Sequence, residues 1–520
     1  MAVPRDVRWG LRFLLLAAYT VYAMAVINRI GKVMKRNRAL VTFDQDRIYG
    51  AVSRAATSNG GFEQDYVADV NDRLFSAGST DDGIARFLSD LVVVCLNGNP
   101  RYSVSNFPPT VEDIQDTVIH VLRSTGFTRT ADAYECFRWG HHWVRQRAIT
   151  EAQFVSNGYP ADDMEPLMAW NREHGCDTVA GLNEIVADGD VRVLIAEAHQ
   201  RFETALDGAA ARVLERLESG DGLRMIWISG PSSSGKTTTT VKLTDRLKAH
   251  GLRFRMVNLD DYFWSLIEHP TDWINDRNYE TPEAIDIQLL NSHLRGLLDG
   301  KTIDKPVYSF KEGRRVGAES IKLGSDEILL LDCLHGFYPP MTEGIDPAVI
   351  FRVYIEAMNP LYEEDTMKPF PTMEMEWSGR HLTRFEDVRL LRRMLRDTKH
   401  RNHPPLATLL HWHYVRAGEL TSIIPLKGRA DVVLNGGMPF DLPALQPFFT
   451  EAEGVWPEEG DLEQYASFLD ARIRFRRISR LLASVNGFTM EQVHDPAFIP
   501  GDSIVREFVG GSTVRIPHNE

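Results

Sequence analysis

The chain has few cysteines and no excess of positive charge. Its 520 residues include four cysteines, which stand far apart with no C-x-x-C pair: Cys95, Cys136, Cys176 and Cys333. This spacing disfavours both a zinc site and a disulfide framework, and it indicates a reducing compartment. The formal net charge of −14 leaves no basic excess to neutralise a phosphate backbone, which argues against a general nucleic-acid binder. We therefore expect a cytoplasmic protein without a nucleic-acid partner.

Long hydrophobic runs are scarce as well. An uncharged apolar stretch covers residues 13–27 and is preceded by three arginines. It is short for a membrane span and nearer the length of a signal-peptide core or an interfacial helix. Three interpretations of the N-terminal segment stay open. It is an apolar helix that packs on the protein or associates with a membrane surface, an upstream translation start with the working protein beginning near Met24 or Met34, or a true membrane anchor.

The clearest motif is a phosphate-binding loop. An apolar run over residues 225–228 predicts a buried strand, and Gly230, Gly235, Lys236 and Thr237 then satisfy the G-x-x-x-x-G-K-[ST] pattern before a helical stretch. Such a loop folds its backbone N–H groups around a phosphate at the positive end of a helix. We expect Lys236 to reach the β- and γ-phosphates of ATP and the Thr237 hydroxyl to hold Mg²⁺. The residues predicted to bind the nucleotide are Gly230, Pro231, Ser232, Ser233, Ser234, Gly235, Lys236, Thr237 and Thr238.

Two further apolar runs end in carboxylates. Asp260 and Asp261 follow a β-rich run, and Asp332 follows the run over residues 328–331, which has the form of a Walker B strand. The carboxyl ends of strands in an open parallel sheet face the ligand crevice. One acid at such an edge can accept the proton of an attacking hydroxyl while another supports the metal. We therefore predict an α/β fold that transfers a phosphoryl group to an alcohol.

Several other segments extend this pattern in chain order. They are Asp260-Asp261-Tyr262-Phe263, Asn278-Tyr279-Glu280-Thr281-Pro282, Pro306-Val307-Tyr308-Ser309-Phe310, Arg389-Leu390-Leu391-Arg392-Arg393-Met394-Leu395-Arg396-Asp397 and Ala430-Asp431-Val432-Val433. Over residues 223–440 these segments resemble the uridine kinase and phosphoribulokinase family of phosphate-loop kinases. The pairs Thr408-Leu409 and Gly418-Glu419, with Trp412 between them, resemble a longer bacterial branch that is uridine kinase-like.

The resemblance implies a P-loop NTPase-type parallel sheet flanked by helices, with ATP and Mg²⁺ as cofactors. It implies Asp260 as the catalytic base, and Asp332 together with Thr237 at the metal. The residues that it places at the substrate are Asp261, Glu280, Tyr308 and Arg401.

The arginine-rich segment has the pattern of an amphipathic helix. Its apolar stripe, at helical spacing, consists of Leu390, Leu391, Met394 and Leu395. This stripe leaves Arg392, Arg393 and Arg396 on other faces. The segment resembles the family's lid helix, which implies that Arg393 and Arg396 close over the transferred phosphate and exclude water. The alternative is a solvated arginine face.

Two departures leave the acceptor open. Glu280 stands where the family commonly has Asp, and Gly313 falls where uridine kinases carry a base-reading His. The acceptor that we expect is the 5′-hydroxyl of uridine or cytidine. Lys311, Arg314 and Arg315 could equally bind a phosphorylated acceptor, so phosphoribulokinase-like chemistry is one alternative. A non-catalytic ATP sensor is another, although the loop lysine and both acids are present.

A second resemblance covers residues 30–145. It depends on the segments Val33-x-Lys35-Arg36, Phe43-Asp44, Arg47-Ile48, Val111-Glu112-x-Ile114-Gln115 and Ala131-x-Ala133-Tyr134. These are similar to the ATP-cone, a small regulatory module, although Asn37-Arg38 replaces its usual Asp-Gly. The resemblance implies that ATP or dATP binds here as a regulatory nucleotide. The residues implied to bind it are Val33, Lys35, Arg36 and Arg47.

The composition, 43% hydrophobic and 25% charged, suits a globular protein of several domains. Thr110, followed by the acidic Glu112 and Asp113, predicts a helix start. The predicted regions are an apolar N-terminal segment over 1–29, an ATP-cone-like domain over 30–145, a helical connector over 146–222, a phosphate-loop kinase domain over 223–445 and a C-terminal helical extension over 446–520. A homo-oligomer is compatible with this organisation.

Overall fold

The structure of the chain is a computed structural model. It describes residues 26–58, 61–62, 80–103, 107–150, 161–220, 222–269, 278–309, 312–362, 376–377, 380–381, 384–400, 403–451, 456–463, 465 and 469–515. Residues 1–25, Lys311 and Arg401 lie outside the described residues. Within these ranges, no helix combines the length and the hydropathy that crossing a bilayer would require.

The described chain begins with a short β-hairpin and a run of helices, continues through the strands of a sheet with helices between them, and ends in helices. The strands are β1 (Lys32–Met34), β2 (Leu40–Thr42), β3 (Met225–Ser229), β4 (Arg253–Asn258), β5 (Thr302–Ser309), β6 (Arg314–Lys322), β7 (Glu327–Cys333), β8 (Ile350–Glu356), β9 (Glu376–Trp377), β10 (Arg380–His381) and β11 (Val432–Asn435). The helices are α1 (Asp46–Thr57), α2 (Asp81–Gly98), α3 (Pro100–Ser103), α4 (Val111–Ser124), α5 (Thr128–Arg145), α6 (Ala161–Glu173), α7 (Val179–Asp188), α8 (Val191–Glu218), α9 (Lys236–Ala249), α10 (Ile287–Leu298), α11 (Phe385–His400), α12 (Pro405–Ser422), α13 (Asp441–Thr450), α14 (Glu459–Glu463), α15 (Leu469–Ser484), α16 (Met490–His494) and α17 (Arg506–Val509).

The region that follows the phosphate-binding motif is built on a parallel sheet. Its five strands lie in the order β11, β8, β3, β7, β4, and every neighbouring pair is parallel. Both β3 and β8 are buried along their full length, as is usual for parallel strands with helices on both faces. The sheet and its helices confirm the predicted α/β fold.

Alternate residues of β3 face two different cores, because successive side chains of a strand point to opposite faces of a sheet. Ile226 and Ile228 pack in a cluster that includes residues of α8, α9 and α11. Met225 and Trp227 pack in a second cluster with residues of α10 and of the β5–β6 hairpin. The strand that leads into the phosphate loop is therefore held from both sides.

The connector and the C-terminal extension share the first of these cores. Phe202 and Leu206 of α8 lie in the same hydrophobic cluster as the strands of the sheet, and so do Ile504 and Phe508 near the end of the chain. This core continues across the boundaries predicted near residues 222 and 445. It brings the C-terminal segment next to the phosphate loop, although the two are far apart in sequence.

The N-terminal module has a core of its own, formed by residues of β1, α1, α2, α4 and α5. The predicted helix start at Thr110 is confirmed: its hydroxyl accepts the Asp113 N–H at 3.1 Å, and the Asp113 carboxylate accepts the Thr110 N–H at 2.8 Å. This reciprocal capping box stabilises the start of α4. The backbone of Met34 also donates to Pro109 O at 3.0 Å, so the β1–β2 hairpin lies beside that helix start.

Candidate active site

The phosphate loop connects β3 to α9 and depends on two glycines. A Cβ on Gly230 would lie 2.0 Å from Ile355 O, and Gly235 has a φ of +90° with the Ile504 side chain packed against it. Only glycine combines this close approach with this backbone conformation. Because α9 begins at Lys236, the N–H groups at its start are not used within the helix and lie at the loop, where such groups can bind a phosphate.

Lys236 is the first residue of α9, Asp332 lies near the carboxyl end of β7, and the charges of the two side chains interact. Lys236 Nζ donates to Gly230 O at 3.1 Å and to Pro231 O at 2.9 Å. Desolvation lowers the pKa of Lys236, and the charge of Asp332 opposes that shift. Desolvation likewise raises the pKa of Asp332 to about 6, against the effect of Lys236. The Thr240 hydroxyl donates to Asp332 Oδ2 at 3.3 Å.

The structure brings Asp260 to the same edge of the sheet. It lies in a short 3₁₀ turn, Leu259–Tyr262, directly after β4. Asn258 at the end of β4 pairs in register with Asp332 of β7, and the charge of Asp260 is among those that raise the pKa of Asp332. The two acids and Lys236 therefore form one site, as predicted from the ends of the apolar runs.

Asp261 points to a different neighbour. Its Oδ2 accepts a hydrogen bond from Lys305 Nζ at 2.5 Å, and its Oδ1 accepts the backbone N–H of Tyr308 at 3.0 Å. Both carboxylate oxygens thus hold β5 beside the 3₁₀ turn. A direct contact between Asp261 and the substrate stays a prediction.

Arg393 joins the segment over residues 278–282, which contains Glu280, to the phosphate loop. It donates to Glu280 Oε1 at 2.5 Å, to the Ser232 hydroxyl at 3.0 Å and to Asp397 at 3.1 Å. Desolvation would lower the pKa of Arg393, but Glu280 and Asp397 keep it above its usual value. Arg396 donates to Asp397 Oδ1 at 2.9 Å. Three of the predicted site residues, Ser232, Glu280 and Arg393, therefore meet on one side of the loop, and Arg396 is connected to Arg393 through Asp397.

Two arginines of α11 that the sequence analysis did not place in the site also contact the loop. Arg389 donates to Ser232 O at 3.0 Å, and Arg392 contacts Ser233 O at 3.4 Å. Both side chains are buried, and Arg392 forms a bidentate ion pair with Asp441 at 2.7 Å. A solvated arginine face is therefore wrong for these two residues. Helical periodicity carries no signal for a buried arginine whose partner is remote in sequence.

Two carboxylates that the sequence analysis also missed accept N–H groups of the loop. Glu419 Oε1 accepts the Ser232 N–H at 3.1 Å. Glu507, in the C-terminal segment, accepts the Thr238 N–H at 3.1 Å and its hydroxyl at 2.7 Å. The Gly418-Glu419 pair was noted as part of a resemblance, but no local pattern indicates a contact with the loop for either acid.

Aromatic rings follow Asp260 on the acceptor side. The ring centroids of Phe263 and Tyr308 lie 5.9 Å apart, those of Phe263 and His269 lie 5.7 Å apart, and those of His269 and Tyr279 lie 5.0 Å apart. We call these four residues the acceptor ring cluster. Such rings present apolar faces and edges on which a planar base can stack.

Gly313 closes the loop between β5 and β6. Its φ is +64°, its carbonyl accepts the Leu266 N–H at 2.8 Å, and a Cβ would lie 2.2 Å from the Leu266 side chain. A histidine at this position would therefore meet both backbone strain and a steric clash. The base-reading residue of uridine kinases has no equivalent at this turn.

The basic residues after Gly313 are engaged elsewhere. Arg314 pairs with Glu312 at 2.6 Å on the surface, where its side chain is 60% exposed. Arg315 donates to Asp286 at 3.2 Å and to Tyr262 O at 2.8 Å. These contacts of Arg314 and Arg315 hold the hairpin in place.

The residues implied to bind a regulatory nucleotide lie on the β1–β2 hairpin and at the start of α1. Val33 is buried in the module's core. Arg36 pairs with Glu112 at 2.6 Å and donates to Gln115 at 3.1 Å, and the exposed Arg47 pairs with Asp44 at 3.3 Å. Lys35 lies in the same hairpin, where its N–H donates to Ala39 O at 2.8 Å. Nucleotide binding by this module stays a prediction.

Comparisons with known proteins match the kinase region. The model of the phosphoribulokinase / uridine kinase family matches residues 225–366. A uridine kinase of Deinococcus deserti is 30% identical over 223 residues, which are 42% of this chain and 91% of that relative. Uridine-cytidine kinase B of Dictyostelium discoideum is 25% identical over 214 residues, 41% of this chain and 74% of that relative. A uridine kinase of Bacillus pumilus is 25% identical over 214 residues, 41% of this chain and 86% of that relative.

Proposed function

This chain belongs to the phosphoribulokinase / uridine kinase family and is an ATP-dependent kinase, and on that premise we propose that its acceptor is the 5′-hydroxyl of uridine or cytidine. The observation that supports this choice is the acceptor ring cluster, of which Phe263 lies just after the turn that holds Asp260. Stacking of a base on aromatic rings contributes about 1–3 kcal/mol per base. A nucleoside therefore suits this side of the site.

The residues divide the reaction between them. The loop N–H groups and Lys236 hold the phosphates of ATP, and Asp260 takes the proton of the acceptor hydroxyl. The hydroxyl oxygen then forms a bond to the γ-phosphorus while the bond between that phosphorus and the departing ADP oxygen breaks. Arg393 and Arg396 stabilise the negative charge on the transferred group.

The donor edge of the sheet also suits Mg²⁺. Asp332 and Asp260 offer carboxylate oxygens at adjacent strand ends. Thr237, in the first turn of α9, carries a hydroxyl, and oxygen ligands of this kind are those that Mg²⁺ prefers. Asp332 and Thr237 are the residues that would hold the ion. When bound, Mg²⁺ supplies charge neutralisation at the β- and γ-phosphates.

A phosphorylated acceptor has less support. Arg314 and Arg315 already pair with Glu312 and Asp286, so neither guanidinium is arranged to hold a substrate phosphate. A sensor without catalysis is disfavoured by the presence of Asp260, Asp332 and Lys236 in one site. We further propose that ATP or dATP regulates the enzyme through the N-terminal module, in line with its resemblance to an ATP-cone.

An acceptor screen tests the proposal. The full chain is incubated with MgATP and, separately, with uridine, cytidine, adenosine, guanosine and a set of phosphorylated sugars, and ADP release is measured. We expect turnover with the two pyrimidine nucleosides and product phosphorylated at the 5′-hydroxyl. Turnover with a phosphorylated sugar alone would contradict the proposed acceptor, and binding of ATP without turnover on any acceptor would favour the sensor.

A further inference from the structure

A chain of buried ion pairs connects the N-terminal module to the phosphate loop. Arg416 of α12 donates to Asp132 of α5 at 3.1 Å and to Glu419 at 2.7 Å. Glu419 in turn accepts the Ser232 N–H inside the loop at 3.1 Å. We call Asp132, Arg416 and Glu419 the interdomain relay. Because the side chains of Arg416 and Glu419 are 7% and 1% exposed, salt screens these contacts little.

Glu419 is held firmly at the loop end of the relay. Arg389 donates to its Oε2 at 2.9 Å and to Ser232 O at 3.0 Å, so the same two side chains hold both the N–H and the C=O of Ser232. Although burial alone would raise the pKa of Glu419, Arg389 and Arg416 keep it below its usual value. The carboxylate is therefore ionised at neutral pH, and removing one of its buried partners is costly.

We propose that Glu419 is a positioning residue for the phosphate loop and that the N-terminal module acts on ATP binding through the interdomain relay. The proposal deepens the proposed function, since it rests on the regulatory role given there to the N-terminal module. Arg416 binds Asp132 through Nε and Nη2 and Glu419 through Nη1, so a change in the module that moves Asp132 also moves the guanidinium that holds Glu419. The position of the Ser232 N–H, and with it the shape of the loop, then changes as well.

The space beside the relay is too small to hold a regulatory nucleotide. A cavity of about 20 Å³ adjoins it, lined among others by Arg123, Asp132, Trp412 and Arg416. This volume holds roughly one water molecule and no nucleotide. The relay is therefore a connection between sites, and an effector would bind elsewhere on the module.

The same pair of helices offers a matched control. Trp143 Nε1 of α5 donates to Thr421 O of α12 at 2.8 Å. This hydrogen bond also crosses between the module and the kinase domain, but it reaches neither Glu419 nor the loop. A variant at Trp143 thus weakens the interface without touching the relay.

The test compares three variants of the full chain: Asp132→Asn, Asp132→Glu and Trp143→Phe. The dissociation constant for MgATP is measured with a fluorescent ATP analogue, and the melting temperature is recorded beside it. We expect Asp132→Asn to weaken MgATP binding about fivefold, the size of a modest coupling between sites. Asp132→Glu, which keeps the charge, and Trp143→Phe should stay within about twofold of the wild type.

The outcomes separate the relay from a general role in stability. A loss smaller than about threefold in Asp132→Asn overturns the proposal even if the melting temperature falls, and so does an equal loss in Trp143→Phe. A double-mutant cycle of Asp132→Asn with Glu419→Gln should be non-additive in MgATP affinity; additive losses would also overturn it. This test measures ATP binding, whereas the acceptor screen measures nucleoside phosphorylation. Failure of the relay is therefore distinct from failure of the proposed function.

Discussion

The donor side and the acceptor side of the site are built in different ways. On the donor side, two buried charged residues that are remote from the loop in sequence, Arg389 and Glu419, hydrogen-bond to the backbone of the phosphate loop. The acceptor side is formed by the acceptor ring cluster, whose neighbouring ring centroids lie 5.0–5.9 Å apart. One of these rings, Tyr279, is 39% exposed. The donor side is thus preorganised for one ligand class, whereas the acceptor side depends on a few local contacts. We infer that substrate choice can change on the acceptor side without disturbing the handling of ATP.

The largest expected effect tests whether the donor side is as essential as its packing indicates. Lys236→Met removes the ammonium that contacts the loop and faces Asp332. We expect kcat to fall about 10³-fold, since charge stabilisation at the transferred group is lost. Steady-state ADP release measures this effect. Lys248→Met, on an exposed face of the same helix, is the control and should keep full activity; a loss below about tenfold in Lys236→Met would contradict the comparison.

The second effect concerns the free energy of unfolding. The pKa of Asp332 is raised from 3.8 to about 6, so the folded protein prefers the protonated acid. The stabilising contribution is fully present below pH 3.8 and is lost as the pH rises through about 6. At pH 7.5 the ionised carboxylate therefore destabilises the metal-free protein.

The size of this effect follows from the pKa shift of Asp332, since each pKa unit is worth about 1.4 kcal/mol. Because Asp332 keeps some contact with solvent, part of that energy is screened. We thus expect Asp332→Asn to add about 1–3 kcal/mol of stability at pH 7.5 while abolishing activity.

Denaturant unfolding without Mg²⁺, at pH 7.5 and near pH 5, measures this difference. The advantage of Asp332→Asn should shrink at the lower pH, because the wild-type acid then takes up its proton. The control is Asp299→Asn, at a largely exposed position outside the site, which should gain no stability. If Asp332→Asn were less stable than the wild type at pH 7.5, the ionised Asp332 carboxylate would not destabilise the folded protein, and the prediction would be wrong.

The sequence predicts some parts of the site better than others. The loop, Asp260 and Asp332 were predicted correctly as neighbours, because each lies in a short motif at the end of an apolar run and parallel strands end at one edge. For the arginines of α11, the sequence predicted their positions around the helix but not the burial of Arg389 and Arg392. Periodicity placed Arg392 off the apolar stripe, but its partner Asp441 is 49 residues away, so its burial has no local signal.

The contacts of the C-terminal segment were beyond prediction for the same reason. Glu507 and Thr238 are separated by 269 residues, and only the shared core of the sheet, α8 and the end of the chain brings them together. In contrast, the missing histidine at Gly313 was visible in the sequence. The structure adds its cause, a left-handed turn packed against Leu266.

A third variant tests the acceptor side alone. Tyr308→Leu removes a ring of the acceptor ring cluster and leaves a smaller apolar side chain. We expect the KM for the nucleoside to rise about tenfold through lost stacking, while the KM for ATP stays constant. Substrate-dependent kinetics at fixed saturating ATP measure both. Tyr49→Leu, in the N-terminal module, is the control. An equal rise in both KM values would show that the two sides are not independent.

The smallest expected effect returns to the donor side. Glu507 places a negative charge on the N–H of Thr238, in the first turn of α9, where a phosphate of ATP would compete for it. Glu507→Gln removes this charge and keeps an acceptor oxygen. We expect the KM for ATP to fall about threefold because repulsion of the triphosphate is relieved. Glu491→Gln, at an exposed position of α16, should change nothing, and a higher KM for ATP in Glu507→Gln would refute this role.

The central claim is that Asp260 takes the proton of an acceptor alcohol while the phosphate loop holds ATP. A rapid-quench single-turnover experiment measures this step, using ATP labelled in its γ-phosphate, uridine, and either the wild type or Asp260→Asn. We predict that the wild type forms labelled uridine monophosphate. The variant should transfer phosphate at least about 10²-fold more slowly with MgATP affinity unchanged. Transfer at the wild-type rate in Asp260→Asn would contradict the claim.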